Sequence, residues 1–193
     1  MTTRLGGRHH GRMGVGDRAG GWTVAALADL PADGRRYEVL DGNLVVSPPP
    51  PVWHQTVGAE LMAQLRRSAP SAWVVVYESL FDYGGDGRVP DLMVVRREAA
   101  HDRRALAYTA ADVGLVVEIV SASSRRTDRL SKPAEYAEQR VPMMWRVELE
   151  PVVAVHPFVL SGASWLAAAA VTGQGRLPVP WGELEIDLTA LDG

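Results

Sequence analysis

The chain contains no cysteine among its 193 residues. That excludes disulfide scaffolds, thiolate zinc sites, iron–sulfur clusters and cysteine nucleophiles. Long apolar runs are missing too: the best, residues 115–120 and 163–171, fall well short of the ~18 residues a membrane-crossing helix needs. The first twenty residues carry arginines without the apolar segment of a signal peptide, so a cytoplasmic protein with no membrane partner is expected. Neither a helix-turn-helix pattern nor a nucleotide-binding glycine motif occurs, leaving nothing to favour a transcription factor or an NTPase. Lysine is almost absent as well. Of 20 basic residues, 19 are arginine and one is Lys132.

What is present is ordinary globular composition, 47% hydrophobic and 22% charged, at a length that one domain accommodates. The net charge of −3 argues against a surface that binds polyanions everywhere and leaves room for a local basic patch. Residues 1–21 are rich in Gly and Arg, include His9 and His10, and read as a flexible leader to a single domain spanning residues 22–193.

Thr23 suits a helix N-cap before Val24, Leu27 and Leu30. Residues 37–40 and 43–46 flank Asp41-Gly42, a strong hairpin signal. After four prolines, Val57, Leu61 and Leu65 recur at helical spacing over residues 53–67. Strands are expected at residues 73–83, 90–95 and 114–120, the last nearly all apolar and so of the kind buried on both faces. A helix follows over residues 128–140, with Pro133 near its start. Further strands are expected at 143–149, 152–160, 165–171 and 184–188. The order predicts an α/β domain with a mixed sheet.

Glu118 interrupts the apolar run Leu115-Val116-Val117-Glu118-Ile119-Val120. Such a carboxylate either faces solvent from an edge strand, or is buried and held by a cation. Asp91, at the start of the preceding strand, either caps a turn or joins Glu118 at one end of a sheet. Two strand carboxylates so placed suit a hard divalent cation such as Mg²⁺. Lys132 lies on the helix that follows the Glu118 strand. Its amine can orient a water or neutralise charge on a phosphate, whereas arginine cannot transfer a proton.

These residues also carry a family likeness. Tyr37-Glu38-Val39-Leu40-Asp41-Gly42, His54-Gln55, Val89-Pro90-Asp91, Val117-Glu118-Ile119-Val120-Ser121 and the series Arg126-Thr127-Asp128-Arg129, Lys132, Tyr136-Ala137, Val141-Pro142 and Trp145-Arg146-Val147 resemble, in order, the Uma-type restriction endonucleases. These are a bacterial branch of the PD-(D/E)XK nuclease superfamily. The likeness covers roughly residues 22–160.

It implies a restriction-endonuclease-like core, α+β, with a mixed β-sheet flanked by helices. It further implies a Mg²⁺-dependent DNA endonuclease, with Mn²⁺ as an alternative ion. Asp91 matches the PD aspartate, Glu118 the acidic residue of (D/E)XK, and Glu38 an additional metal ligand from the N-terminal region. Val120 stands where the superfamily places its lysine, and Lys132 takes that role from the following helix. Arg125, Arg126 and Arg129 either contact DNA phosphates or form a solvated loop. His54 is either a phosphate contact or structural. Ser121 and Asp128 are supporting or capping residues, with capping favoured for Asp128. Double-strand cutting calls for two sites, so a homodimer is expected. The alternatives are an inactive nuclease-fold module that binds DNA or protein, and a hydrolase of small phosphoesters.

Overall fold

Asp41 and Gly42 take left-handed backbone angles, φ 49° and 69°, as the two central residues of a tight primed turn require. They join β1 (Arg36–Leu40) to β2 (Asn43–Ser47) in antiparallel register, Leu40 opposite Asn43. A computed structural model describes residues 21–121 and 124–191. Most of the expected leader, with His9 and His10, lies outside the described residues.

The apolar spacing of Val57, Leu61 and Leu65 yields α1 (Val52–Ser68), with all three side chains fully buried. The expected strand at 73–83 divides into β3 (Trp73–Tyr77) and β4 (Phe81–Asp82). Glu78, at φ 41°, breaks the extended run between them. The short β5 (Gly87–Arg88) then joins β4 and β1, giving a small sheet of order β2-β1-β5-β4. β6 (Leu92–Arg96) leads into the short α2 (Arg97–Ala100), and β7 (Val113–Ile119) is buried along its whole length.

The segment expected to open as an ordinary helix begins instead as a π-helical turn, Thr127–Ser131, continued by α3 (Lys132–Glu138). The N-terminal segment likewise forms a 3₁₀ helix, Val24–Asp29, with no side-chain cap from Thr23. β8 (Met143–Glu148), β9 (Ala154–Ser161), β10 (Ser164–Ala167) and β11 (Val171–Thr172) complete the main sheet, in the order β10-β9-β8-β7-β6-β3 with β11 on β9. A terminal hairpin pairs β12 (Gln174–Val179), which the sequence pattern missed, with β13 (Gly182–Asp187).

β7 and β8 pair in parallel through the α3 crossover, while the other pairs of the main sheet are antiparallel. The sheet is therefore mixed, as expected. Strand alternation sends Leu115, Val117 and Ile119 to the core that α1 covers. Val116 faces the opposite core, with Met93, Val95, Met144, Phe81 and Tyr136 of α3. Glu118 shares the face of Val116, and Asp91 that of Met93. Leu92 pairs with Val117, so Asp91 comes opposite Glu118 where β6 and β7 meet the α3 layer.

Candidate active site

Glu118 sits on a central strand and is fully buried, which excludes the solvent-facing reading. Its partners both come from α3. Lys132 Nζ donates to Oε2 at 2.7 Å, and the Tyr136 hydroxyl donates to Oε1 at 2.5 Å. Residues four apart share a helix face, so one stretch of α3 grips both oxygens of a strand carboxylate. Burial pushes the Glu118 carboxyl up, to about 8, with the Lys132 ammonium opposing and the Asp128 and Asp91 charges adding to it.

Lys132 is itself buried, 4% exposed. Besides Glu118 it faces Asp128 Oδ1 at 3.1 Å, near enough for ion pairing but outside hydrogen-bond geometry, so that oxygen has no hydrogen bond. Burial disfavours the ammonium, yet the surrounding Glu118, Asp128, Glu38 and Asp91 carboxylates hold its pKa above the ordinary value. Asp128 is not the expected helix cap. It lies inside the π turn, 2% exposed, and accepts from the Ser124 hydroxyl through its other oxygen. Ser121 pairs with the same hydroxyl at 2.7 Å.

Asp91 is equally enclosed, 2% exposed. Arg36 donates to Oδ1 at 2.8 Å and the Ile119 N–H to Oδ2 at 2.7 Å. His54 Nε2 lies 3.4 Å from Oδ2 and 3.0 Å from the Ile119 carbonyl oxygen. Both neighbours are acceptors, so Nε2 carries the proton. Burial raises the Asp91 carboxyl, but the His54 hydrogen bond and the Arg36 charge outweigh it and hold it at about 2. His54 therefore braces Asp91 and the end of β7 from α1, and its ring N–H is already engaged there.

Glu38, on β1, accepts the Val89 N–H at 2.9 Å and faces Arg88 at 3.4 Å. Arg88, 3% exposed, makes a two-pronged contact with Glu135 of α3, 2.7 Å on each arm. The small sheet is thereby tied to α3 across the same cleft.

Glu38, Asp91, Glu118 and Lys132 all line one cleft of about 720 Å³, with Arg36, His54, Asp128 and Glu135. Arg125, Arg126 and Arg129, the arginines expected to contact phosphates, stand outside it. Arg125 and Arg129 line an adjoining groove with Trp53 and Val120, reached over Pro51, His54 and Ser121. Arg125 lies 3.8 Å from Glu150, Arg129 is bidentate to Glu148, and Arg126 is exposed. Val120 lies past the end of β7 and donates its N–H to the Val147 carbonyl.

The sequence reading missed Tyr136, Arg36 and Arg88. Tyr136 was detectable by its spacing from Lys132. The two arginines had no local signal, since their partners are distant in sequence.

Residues 24–185 match a family model described as "Uma2: Putative restriction endonuclease". The chain belongs to the Uma2 family. Its fold is similar to the crystal structure titled as a "putative nuclease belonging to DUF820 from Anabaena variabilis ATCC 29413". The match has a TM-score of 0.69 and 16% identity, covering 88% of this chain and 96% of that one. At that identity the likeness concerns the fold. No curated protein matches the sequence. Within the Uma2 chain, no three carboxylate or imidazole groups among the described residues converge as a preformed metal cage. Asp91 and Glu118 line the cleft with each oxygen already accepting a hydrogen bond, from Arg36 and the Ile119 N–H and from Lys132 and Tyr136. A hard cation such as Mg²⁺ needs only one or two such carboxylates, with waters and phosphate oxygens completing its shell.

Proposed function

We propose that this chain hydrolyses phosphodiester bonds in DNA with a divalent cation, Mg²⁺ or Mn²⁺, held by Asp91 and Glu118. The observation that carries this reading is that Lys132, the lone lysine, sits 2.7 Å from Glu118 in the cleft that Asp91 also lines. Membership of a family described as "Putative restriction endonuclease" supports the reaction class. Glu38 would enter as a third carboxylate through Oε2 in exchange for Arg88, just as Asp91 and Glu118 would each exchange one of their present donors for the ion.

The bound ion supplies Lewis-acid polarisation of the phosphate and a water of lowered pKa. The remaining work falls to the chain. Asp91, with its low pKa, stays ionised at any working pH. Lys132 stays an ammonium, so its task is to stabilise negative charge developing on the phosphate rather than to remove a proton. Arg125 and Arg129 hold flanking phosphates in the adjoining groove by exchanging Glu150 and Glu148 for the DNA backbone, with Arg126 on the same turn. His54 keeps Asp91 in place. Cutting both strands usually takes two active sites, which a homodimer of the chain would supply.

Supercoiled plasmid incubated with Mg²⁺ or Mn²⁺ tests this. Nicking is expected, and it disappears in EDTA and in the variants Asp91→Ala and Lys132→Ala. Nicking that survives both substitutions refutes the assignment. A chain that binds DNA with the ion yet never cuts is a nuclease-fold binding module.

A further inference from the structure

Tyr136 is fully buried, its ring edge-on to Phe81 at 5.7 Å between centroids and packed in the core with Met93, Val116 and Met144. An apolar side chain would fill that volume equally well. Among the described residues the hydroxyl has a single hydrogen-bond partner there, Glu118 Oε1 at 2.5 Å. Facing a carboxylate oxygen, which has only lone pairs to offer, the phenol hydroxyl is the donor of that bond. The other oxygen of Glu118 depends on Lys132, and that ammonium is shared with Asp128 at 3.1 Å. In the proposed reaction Lys132 turns toward the substrate phosphate, and Oε2 then loses its donor. The Tyr136 hydroxyl, fixed by a wedged ring with no long flexible stem, is the donor that stays.

We infer that Tyr136 is a positioning residue, whose hydroxyl holds the Glu118 carboxylate toward the cleft so that it accepts a divalent cation while Lys132 serves the phosphate. This rests on the cation-dependent reading above. Groups that orient a metal-binding side chain typically account for 10–100-fold in metal affinity or turnover.

The test is Tyr136→Phe, which keeps the ring and removes one oxygen. Mn²⁺ binding to the full chain, without DNA, is followed through the electron paramagnetic resonance signal of the free ion. Affinity is expected to fall 10–100-fold and kcat on plasmid by a similar factor, while KM for DNA stays within twofold. Unchanged Mn²⁺ affinity in a folded Tyr136→Phe chain overturns the inference and leaves the proposed function standing. No Mn²⁺ binding by the unsubstituted chain overturns both. Should Tyr136→Phe fail to fold, 3-fluorotyrosine placed at position 136 decides. Its ¹⁹F resonance is expected to move on adding Mg²⁺ and to saturate with the ion, and a resonance indifferent to Mg²⁺ overturns the inference.

Discussion

Lys132 and Glu118 meet 2.7 Å apart although fourteen positions separate them in the chain. The parallel crossover from β7 through α3 to β8 makes that contact, turning the N-terminal end of α3 back over the strand it follows. The amine is then enclosed by Glu118 on one side and Asp128 on the other.

That enclosure makes Lys132→Arg a severe substitution despite the conserved charge. A compact ammonium fits between two buried carboxylates, whereas a planar guanidinium with fixed donors does not. Cleavage is expected to drop at least ~10²-fold, the scale of losing one charge-stabilising donor. Plasmid nicking measures it, and a variant that cuts normally would show that the identity of the single lysine is immaterial.

The cleft presents Glu38, Asp91, Glu118, Asp128 and Glu135 against Arg36, Arg88 and Lys132. This excess of carboxylates repels a polyanion until cations enter. DNA affinity is therefore expected to depend on a divalent ion. Fluorescence anisotropy with a labelled duplex should show at least tenfold tighter binding in Ca²⁺ than in EDTA at equal ionic strength. Equal binding in the two buffers contradicts the cleft as the DNA site.

The pH dependence of the metal-free protein follows from Glu118. Its carboxyl rises from an ordinary 4.5 to about 8 in the fold, so the folded chain binds the extra proton. The associated stability is fully present below pH 4.5 and fades as pH rises through about 8. Melting in EDTA should fall more steeply from pH 5 to 8 for the natural chain than for Glu118→Gln. Parallel melting curves would contradict a buried, proton-binding Glu118. Asp91 acts in the opposite sense, adding stability above pH 3.8 that disappears as pH falls through about 2.

Arg88 ties Glu38 on the small sheet to Glu135 on α3 while itself buried. Arg88→Ala leaves the buried Glu38 without its cation, and breaking such a pair from one side costs about 3–5 kcal/mol. Urea unfolding should show this loss. Replacing the exposed Arg176, paired with Glu185 on the terminal hairpin, should change stability by less than ~1 kcal/mol.

By itself the sequence determined the elements whose signals are local. The Asp-Gly turn, the apolar spacing of α1 and the nearly all-apolar β7 follow from backbone sterics and periodicity, and each formed where expected. The ordered residues likewise carried the family, and the oddity of one glutamate in an apolar strand marked Glu118. Tertiary structure alone decided what that glutamate touches. Pairing across β6 and β7 set Asp91 opposite it, and the π turn before α3 removed Asp128 from a capping role and placed it against Lys132. Arg36 and Arg88 reached partners 47 to 55 positions away, a distance at which no spacing rule operates. Such contacts arise only when burial forces charged groups to find one another, and that requirement becomes specific once the layers have packed.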